Sequence, residues 1–162
     1  MTFILGEQRQ ADVSQAFRRY REYLREQRDR FPPGAFSLAT SDWYFNPEDH
    51  RCPHDAWLQH FVVQEIGRGE RHEVRTLTSS VQLLGAYQDL VLTFTYHRVY
   101  RYGLDGVNPQ AGHQDWRYDE FRVNEQGHLM HEIEWCGANE AARWLIEADD
   151  VVLEWAASAR GA

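Results

Sequence analysis

Hydrophobic and polar positions alternate most regularly between Glu73 and Tyr102, where EVRTLTSSVQLLGAYQDLVLTFTYHRVYRY reads as two strands hinged at Gly85–Asp89. In the second strand Leu90, Leu92, Phe94, Tyr96, Tyr100 and Tyr102 share one parity, broken only at Arg98. Val91, Thr93, Thr95, His97, Val99 and Arg101 hold the other. A period of two, with β-branched residues between the large ones, describes a pleated strand buried on one face. The first strand is noisier, with Leu77, Val81 and Leu83 on one parity. Gly85 is expected to supply positive φ where the chain reverses.

A helical period precedes this hairpin. Over residues 12–30, Val13, Phe17, Tyr20 and Leu24, flanked by Ala16 and Tyr23, recur at three- and four-residue steps and leave an arginine-rich outer face. Asp12 is placed to cap the helix, with Gln15 three residues on, and Pro32-Pro33-Gly34 stops it. Trp43-Tyr44-Phe45 reads as a short strand or a helical turn, and Trp57–Ile66 as the first full strand. Further strands are expected at Trp116–Val123, at His128–Cys136, around Trp144–Ile146 and at Val151–Trp155, with a turn at Asp149-Asp150. The fold class is α+β: one N-terminal amphipathic helix covering a mainly antiparallel meander of about seven strands, open or curled into a half-barrel. All 162 residues read as a single domain, with residues 1–10 and 156–162 frayed.

Composition narrows the setting. A hydrophobic content of 43% is that of a folded chain, and no apolar run approaches the roughly 20 residues a membrane helix needs. Phe3-Ile4-Leu5 is too short for a secretory signal, and Cys52 and Cys136 form no disulfide framework, so a cytoplasmic address is expected. All 17 basic residues are arginine, as GC-rich bacterial codon usage produces. From Asp119 to Glu154 ten acids face two arginines, a local charge of −8 that equals the formal net charge of the chain. Such an end repels nucleic acid and suits a basic protein partner or solubility alone.

Four groups of residues could carry chemistry. His50, Cys52, His54 and Asp55 place four metal-ligand types within six residues, but no second cysteine or histidine pair at a zinc-site spacing accompanies them. The alternative is a loop in which Asp55 accepts backbone N–H bonds. His131, on the apolar parity with Leu129, Ile133 and Trp135, and His97, beside Thr95, are each a general base or a hydrogen-bonded structural residue. If His131 is structural, replacement by Phe is expected to cost little. Glu132 and Glu134 share a face about 7 Å apart, which reads as a solvated face rather than a glycosidase pair. Trp57, Tyr96 and Tyr100, with His97 and His131, would line a cup for a small ligand on the open sheet, or fill a core. No phosphate loop, dinucleotide fingerprint or nucleophile elbow is present, and no cofactor is implied.

The runs PHDAWL (Pro53–Leu58), LLGAYQD (Leu83–Asp89) and HEIEW with RWLIEADDVVLEW (within His131–Trp155) together resemble a small bacterial family of uncharacterised proteins, over the chain from about residue 40. The resemblance implies a bacterial, single-domain protein and assigns no activity. Three readings follow from the residues: a binding module that meets a basic partner through the acidic 119–154 stretch, a small-ligand cup or weak enzyme on the sheet, and a homodimer made by edge-strand pairing.

Overall fold

A computed structural model describes residues 1–105, 110–136 and 142–159. Residues 106–109 of the expected glycine-rich loop, Glu140 of the acidic stretch and residues 160–162 of the C-terminal tail lie outside them. The chain is α+β, with helical elements first and an antiparallel sheet after. Helix α1 spans Gln8–Ala11, α2 Val13–Glu26 and α3 Pro33–Ala39; the strands are β1 Trp57–Ile66, β2 Thr76–Leu84, β3 Leu90–Leu104, β4 Trp116–Val123, β5 Leu129–Trp135 and β6 Ala142–Ala157.

The strands form one sheet in the order β1-β2-β3-β6-β5-β4. Two three-stranded meanders are thus joined where β6 pairs along nearly all of β3. The edge strands β1 and β4 meet only at one end, through the isolated pair Trp57–Asp115 and the bonds Asp55 N–H to Trp116 O (2.8 Å) and Trp116 N–H to Ala56 O (2.9 Å). The sheet is curled but does not close into a barrel.

Six strands replace the expected seven because β6 runs through Asp149-Asp150 without turning. The long β3 gives it a continuous partner, and both strands slip parity at the same place. Inward positions on β3 are Leu92, Phe94, Tyr96 and then Val99; on β6 they are Trp144, Ile146, Ala148 and then Val151 and Leu153. Tyr96 pairs with Val151 and Val99 with Ala148, so two residues on each strand separate the inward positions. Arg98 makes this step in the left-handed region at φ 51°, and a bulge follows between Val99 and Arg101. The slip explains why Tyr100 and Tyr102 do not continue the buried face of Tyr96: they are 44% and 46% exposed.

The β2–β3 hairpin forms as expected, with Gly85 N–H bonded to Leu90 O at 2.9 Å. The left-handed residue of its turn is Gln88 (φ 62°) rather than Gly85. Gly85 instead sits in close approach to the paired strand, where a Cβ would make a tight contact of 3.3 Å with the Leu90 carbonyl oxygen.

Helix α2 begins at the expected cap, Asp12 Oδ1 accepting the Gln15 N–H at 2.9 Å. It ends at Glu26 rather than near residue 30, and a 3-10 turn over Arg28–Arg30 leads to the prolines. The prolines do more than stop it. Pro33 opens α3, whose Gly34 and Ala35 N–H groups are each held by the Asp150 carboxylate at 2.9 Å. Trp43-Tyr44-Phe45 forms a turn instead of a strand, with Tyr44 fully buried.

The termini are tied down further than expected. Ile4 is fully buried in the core, and the Phe3 and Leu5 N–H groups reach Glu120 Oε2 at 2.9 and 3.2 Å. Ala157 still pairs with Leu90. The edge of β4 is covered by α2: the Tyr20 hydroxyl accepts from Phe121 N–H (2.8 Å) and donates to Phe121 O (2.9 Å), and the Tyr23 hydroxyl accepts from Val123 N–H (2.9 Å). Backbone groups that would otherwise template another strand are thereby occupied. Among the described residues no helix is long and apolar enough to cross a membrane.

Candidate functional site

The concave face of the sheet carries a row of aromatic rings from Tyr96 to the open end. His131 lies in ring contact with Tyr96, Phe94, Phe121 and Trp116; Trp116 touches Trp135, and Trp135 touches Trp144. The two ends of this row differ in how their polar atoms are served.

At the inner end every polar atom of the row has a partner. Asp119 on β4 accepts from the Trp116 indole at 3.0 Å, from the Tyr44 hydroxyl at 2.8 Å and from His131 Nε2 at 2.9 Å, while the Tyr96 hydroxyl meets His131 Nδ1 at 2.7 Å. Burial, reinforced by the Asp119 carboxylate, pushes the Tyr96 and Tyr44 hydroxyls well above the ordinary tyrosine value, so both stay protonated and donate. With Tyr96 donating to Nδ1, His131 donates from Nε2 to Asp119. A Tyr–His–Asp chain of this kind can move protons when a substrate reaches it. Here Tyr96, His131 and Tyr44 are 0% exposed and Asp119 2%, and the cavity beside Asp119 holds about 20 Å³, room for one water. The chain is a buried hydrogen-bond network that fixes the interior.

At the outer end the rings lack partners. Among the described residues Trp135 Nε1, Trp144 Nε1 and His113 Nδ1 are buried polar atoms without a hydrogen bond. Their rings touch one another: His113 lies 5.4 Å from Trp135 and 4.8 Å edge-on from Trp144, and the two indoles are 5.0 Å apart. His113 lines a recess of about 400 Å³ whose other walls are Trp57, Leu58 and the stretch 111–115. Gly112 and Gln114, both left-handed at φ 66° and 60°, flank His113 in this wall. The Trp57–Asp115 pair and the bond from Cys136 N–H to Asp115 O (2.9 Å) fasten that stretch to β1 and to the end of β5. Burial pushes the His113 imidazole down, which favours its neutral form with one donor and one acceptor nitrogen.

The residues expected to form one cup are therefore divided. Trp57 lines the recess, half exposed at 48%. Tyr96 and His131 belong to the buried network. His97 and Tyr100 are exposed: Tyr100 stacks on His128 at 3.8 Å and donates to Asp149 Oδ1 at 2.6 Å. His113, Trp135 and Trp144 were not singled out by their patterns. His113 sat in a glycine-rich loop, and an inward tryptophan on a strand looks like any core residue. The available signal was the indole N–H, a donor that an apolar face cannot satisfy.

The expected metal ligands are not brought together. His50 Nδ1 meets Asp89 Oδ2 at 2.6 Å and its ring stacks on Tyr87 at 4.0 Å. His54 packs edge-on to Tyr118, with Nδ1 3.1 Å from Asp55 Oδ1 but outside hydrogen-bond geometry. Cys52 is buried, and desolvation pushes its thiol up to about 12, away from the thiolate a metal requires. Among the described residues no three such side chains could hold an ion.

Glu132 and Glu134 do not form a solvated face. Glu134, 2% exposed, is bridged by Arg9 at 2.7 Å and Arg143 at 3.2 Å; Glu132 is bridged by Arg143 at 3.0 Å and by Arg122, which also pairs with Glu120 at 3.0 Å. Glu147 accepts from Asn124 and meets His128, both at 2.8 Å.

No family model matches the chain, and no curated protein or solved structure matches it either, so the site rests on its own geometry.

Proposed function

We propose that the protein binds a small, neutral, planar molecule bearing a carbonyl-type acceptor, in the recess formed by Trp57, Leu58 and His113. The observation that carries this reading is that three buried polar atoms without a hydrogen bond among the described residues, on Trp135, Trp144 and His113, belong to rings in mutual contact, with His113 in the wall of the recess. Buried polar atoms are rarely left unpaired, and a group of them beside a recess marks the place of a missing partner. The Trp57 and His113 rings in the wall suit a flat ring, and the indole N–H groups of Trp135 and Trp144, in contact with the His113 ring, are donors only. Asp115 lines the same recess and disfavours a carboxylate, which selects the neutral acceptor. The acidic stretch gives the protein-partner reading less support, since Glu132, Glu134 and Glu147 already have partners.

The test is the indole region of a nitrogen–proton correlation spectrum. Benzamide and uracil at millimolar concentration are expected to shift the Trp135 and Trp144 indole resonances, with benzoate much weaker. His113→Ala is expected to weaken the response. Indole resonances that stay fixed with both neutral probes, or that move equally with benzoate, would remove the reading.

A further inference from the structure

A second depression, sharing no lining residue with the first, lies between α2 and α3. It encloses about 710 Å³, within the range of small-molecule sites, and its apolar surface comes from Phe17, Leu24, Phe36 and Phe45. The polar groups along it divide into two kinds. Tyr20 is committed to the β4 edge, Thr40 Oγ1 donates to Phe36 O at 2.7 Å, and Ser41 Oγ donates to Ser37 O at 2.5 Å. These hydroxyls are turned back onto the protein. Arg21 and Arg25, one helical turn apart on α2 and both exposed, have no ion pair among the described residues; Arg25 Nε makes only a long bond of 3.4 Å to the Arg21 carbonyl. Two unpaired guanidinium groups therefore stand over an apolar trough in a chain whose net charge is −8.

Most arginines around the sheet are engaged: Arg9, Arg122 and Arg143 bridge glutamates, and Arg51 holds Asp49. Unpaired cations beside partly buried phenylalanines complement a ligand with one anionic end and a hydrocarbon body. Asp42 at the same depression opposes a second anionic group and so selects a single-headed ligand.

We propose that this groove binds a free fatty acid, its carboxylate between Arg21 and Arg25 and its chain along Phe17, Leu24, Phe36 and Phe45. The site is separate from the recess at Trp57 and His113 and takes a different chemical class.

Calorimetric titration with octanoate, decanoate and dodecanoate below their micellar concentrations tests it. Each methylene buried is expected to strengthen binding by about threefold to fourfold until the trough is filled. Replacing both arginines, Arg21→Gln with Arg25→Gln, is expected to weaken dodecanoate at least tenfold, and Arg21→Lys with Arg25→Lys to retain most of the affinity. Both arginines are exposed, so these variants fold. Dodecanol is expected to bind far more weakly than dodecanoate, and dodecanoate to leave the Trp135 and Trp144 indole resonances in place. Absence of binding, a flat chain-length series, dodecanoate affinity that survives the double glutamine variant, or binding only to phosphatidylglycerol vesicles would each overturn the proposal.

Discussion

Replacing His131 with phenylalanine tests the inner network, because a somewhat larger aromatic ring is kept while both nitrogens are lost. The phenyl ring retains the contact with Phe121, whose centroid is 4.1 Å away. The Tyr96 hydroxyl, fully buried, loses its partner at 2.7 Å, and an unsatisfied buried group costs about 1–3 kcal/mol. Asp119 falls from three donors to two, which costs about 1–2 kcal/mol more. The sum is about 2–5 kcal/mol, a large share of the roughly 5–15 kcal/mol that holds a domain of this kind folded, and a fall in Tm on the order of 10 °C. This corrects the sequence-based expectation of a small cost. Urea unfolding of the wild type, the His131→Phe variant and the double variant with Tyr96→Phe measures it. Removing the stranded hydroxyl is expected to return about 1–2 kcal/mol, so the double variant is more stable than the single one. A single variant that loses under about 1 kcal/mol, or a double variant less stable than the single, would refute the network.

Three further outcomes are expected. Tyr20→Phe removes the hydroxyl that serves both backbone groups of Phe121 and should cost about 1–3 kcal/mol by the same urea assay, although the apolar ring is unchanged. Gly34→Ala should destabilise by about 1–3 kcal/mol despite the better helix propensity of alanine, because the new Cβ would lie 2.2 Å from the Val151 carbonyl oxygen and force α3 off its cap at Asp150. Cys52 titrates near 9 when unfolded and at about 12 when buried, so the folded state keeps its proton longer and stability falls as pH rises from about 9 towards 12. At pH 10 this amounts to about 1.4 kcal/mol, and Cys52→Val should flatten that part of the stability profile; an unchanged slope would show that the thiol is not the group responsible.

Much of the fold was legible because it rests on periodicity. The alternation at Leu92, Phe94 and Tyr96, the stripe at Ala16, Tyr20 and Leu24, and the cap at Asp12 each appear in the structure as the pattern implies. The parity slip was not legible. Arg98 interrupts the pattern on β3, but that it shifts the following residues by one depends on pairing with β6, some fifty residues later. The same non-local cause turned Asp149-Asp150 from an expected turn into part of a strand, since only a neighbouring helix end could employ Asp150 as a cap. Of the expected ligand residues, Trp57 alone lines the recess. Tyr96 and His131 point inward and His97 outward as their parities assign, and only Tyr100 was turned to the other face by the slip.

The acidic C-terminal stretch illustrates a related limit of one-dimensional charge. Three of its acids, Glu120, Glu132 and Glu134, interleave with Arg122, Arg143 and the distant Arg9, so a local charge of −8 in sequence is partly neutralised in space. The same criterion, whether a polar group has a partner once the chain is folded, separates the two ends of the aromatic row. Trp116, Trp135 and Trp144 are all buried to 1% exposure or less. For Trp116 the fold supplies Asp119, which it also secures with Tyr44 and His131. A carboxylate beside Trp135 and Trp144 would have been equally available to a chain with 25 acids, yet among the described residues neither indole N–H has a hydrogen-bond acceptor. Packing alone would favour phenylalanine at both positions, since it brings no donor to satisfy. Two indole N–H groups without an acceptor among the described residues, in contact with a histidine that lines a recess, are the feature on which the proposed ligand rests.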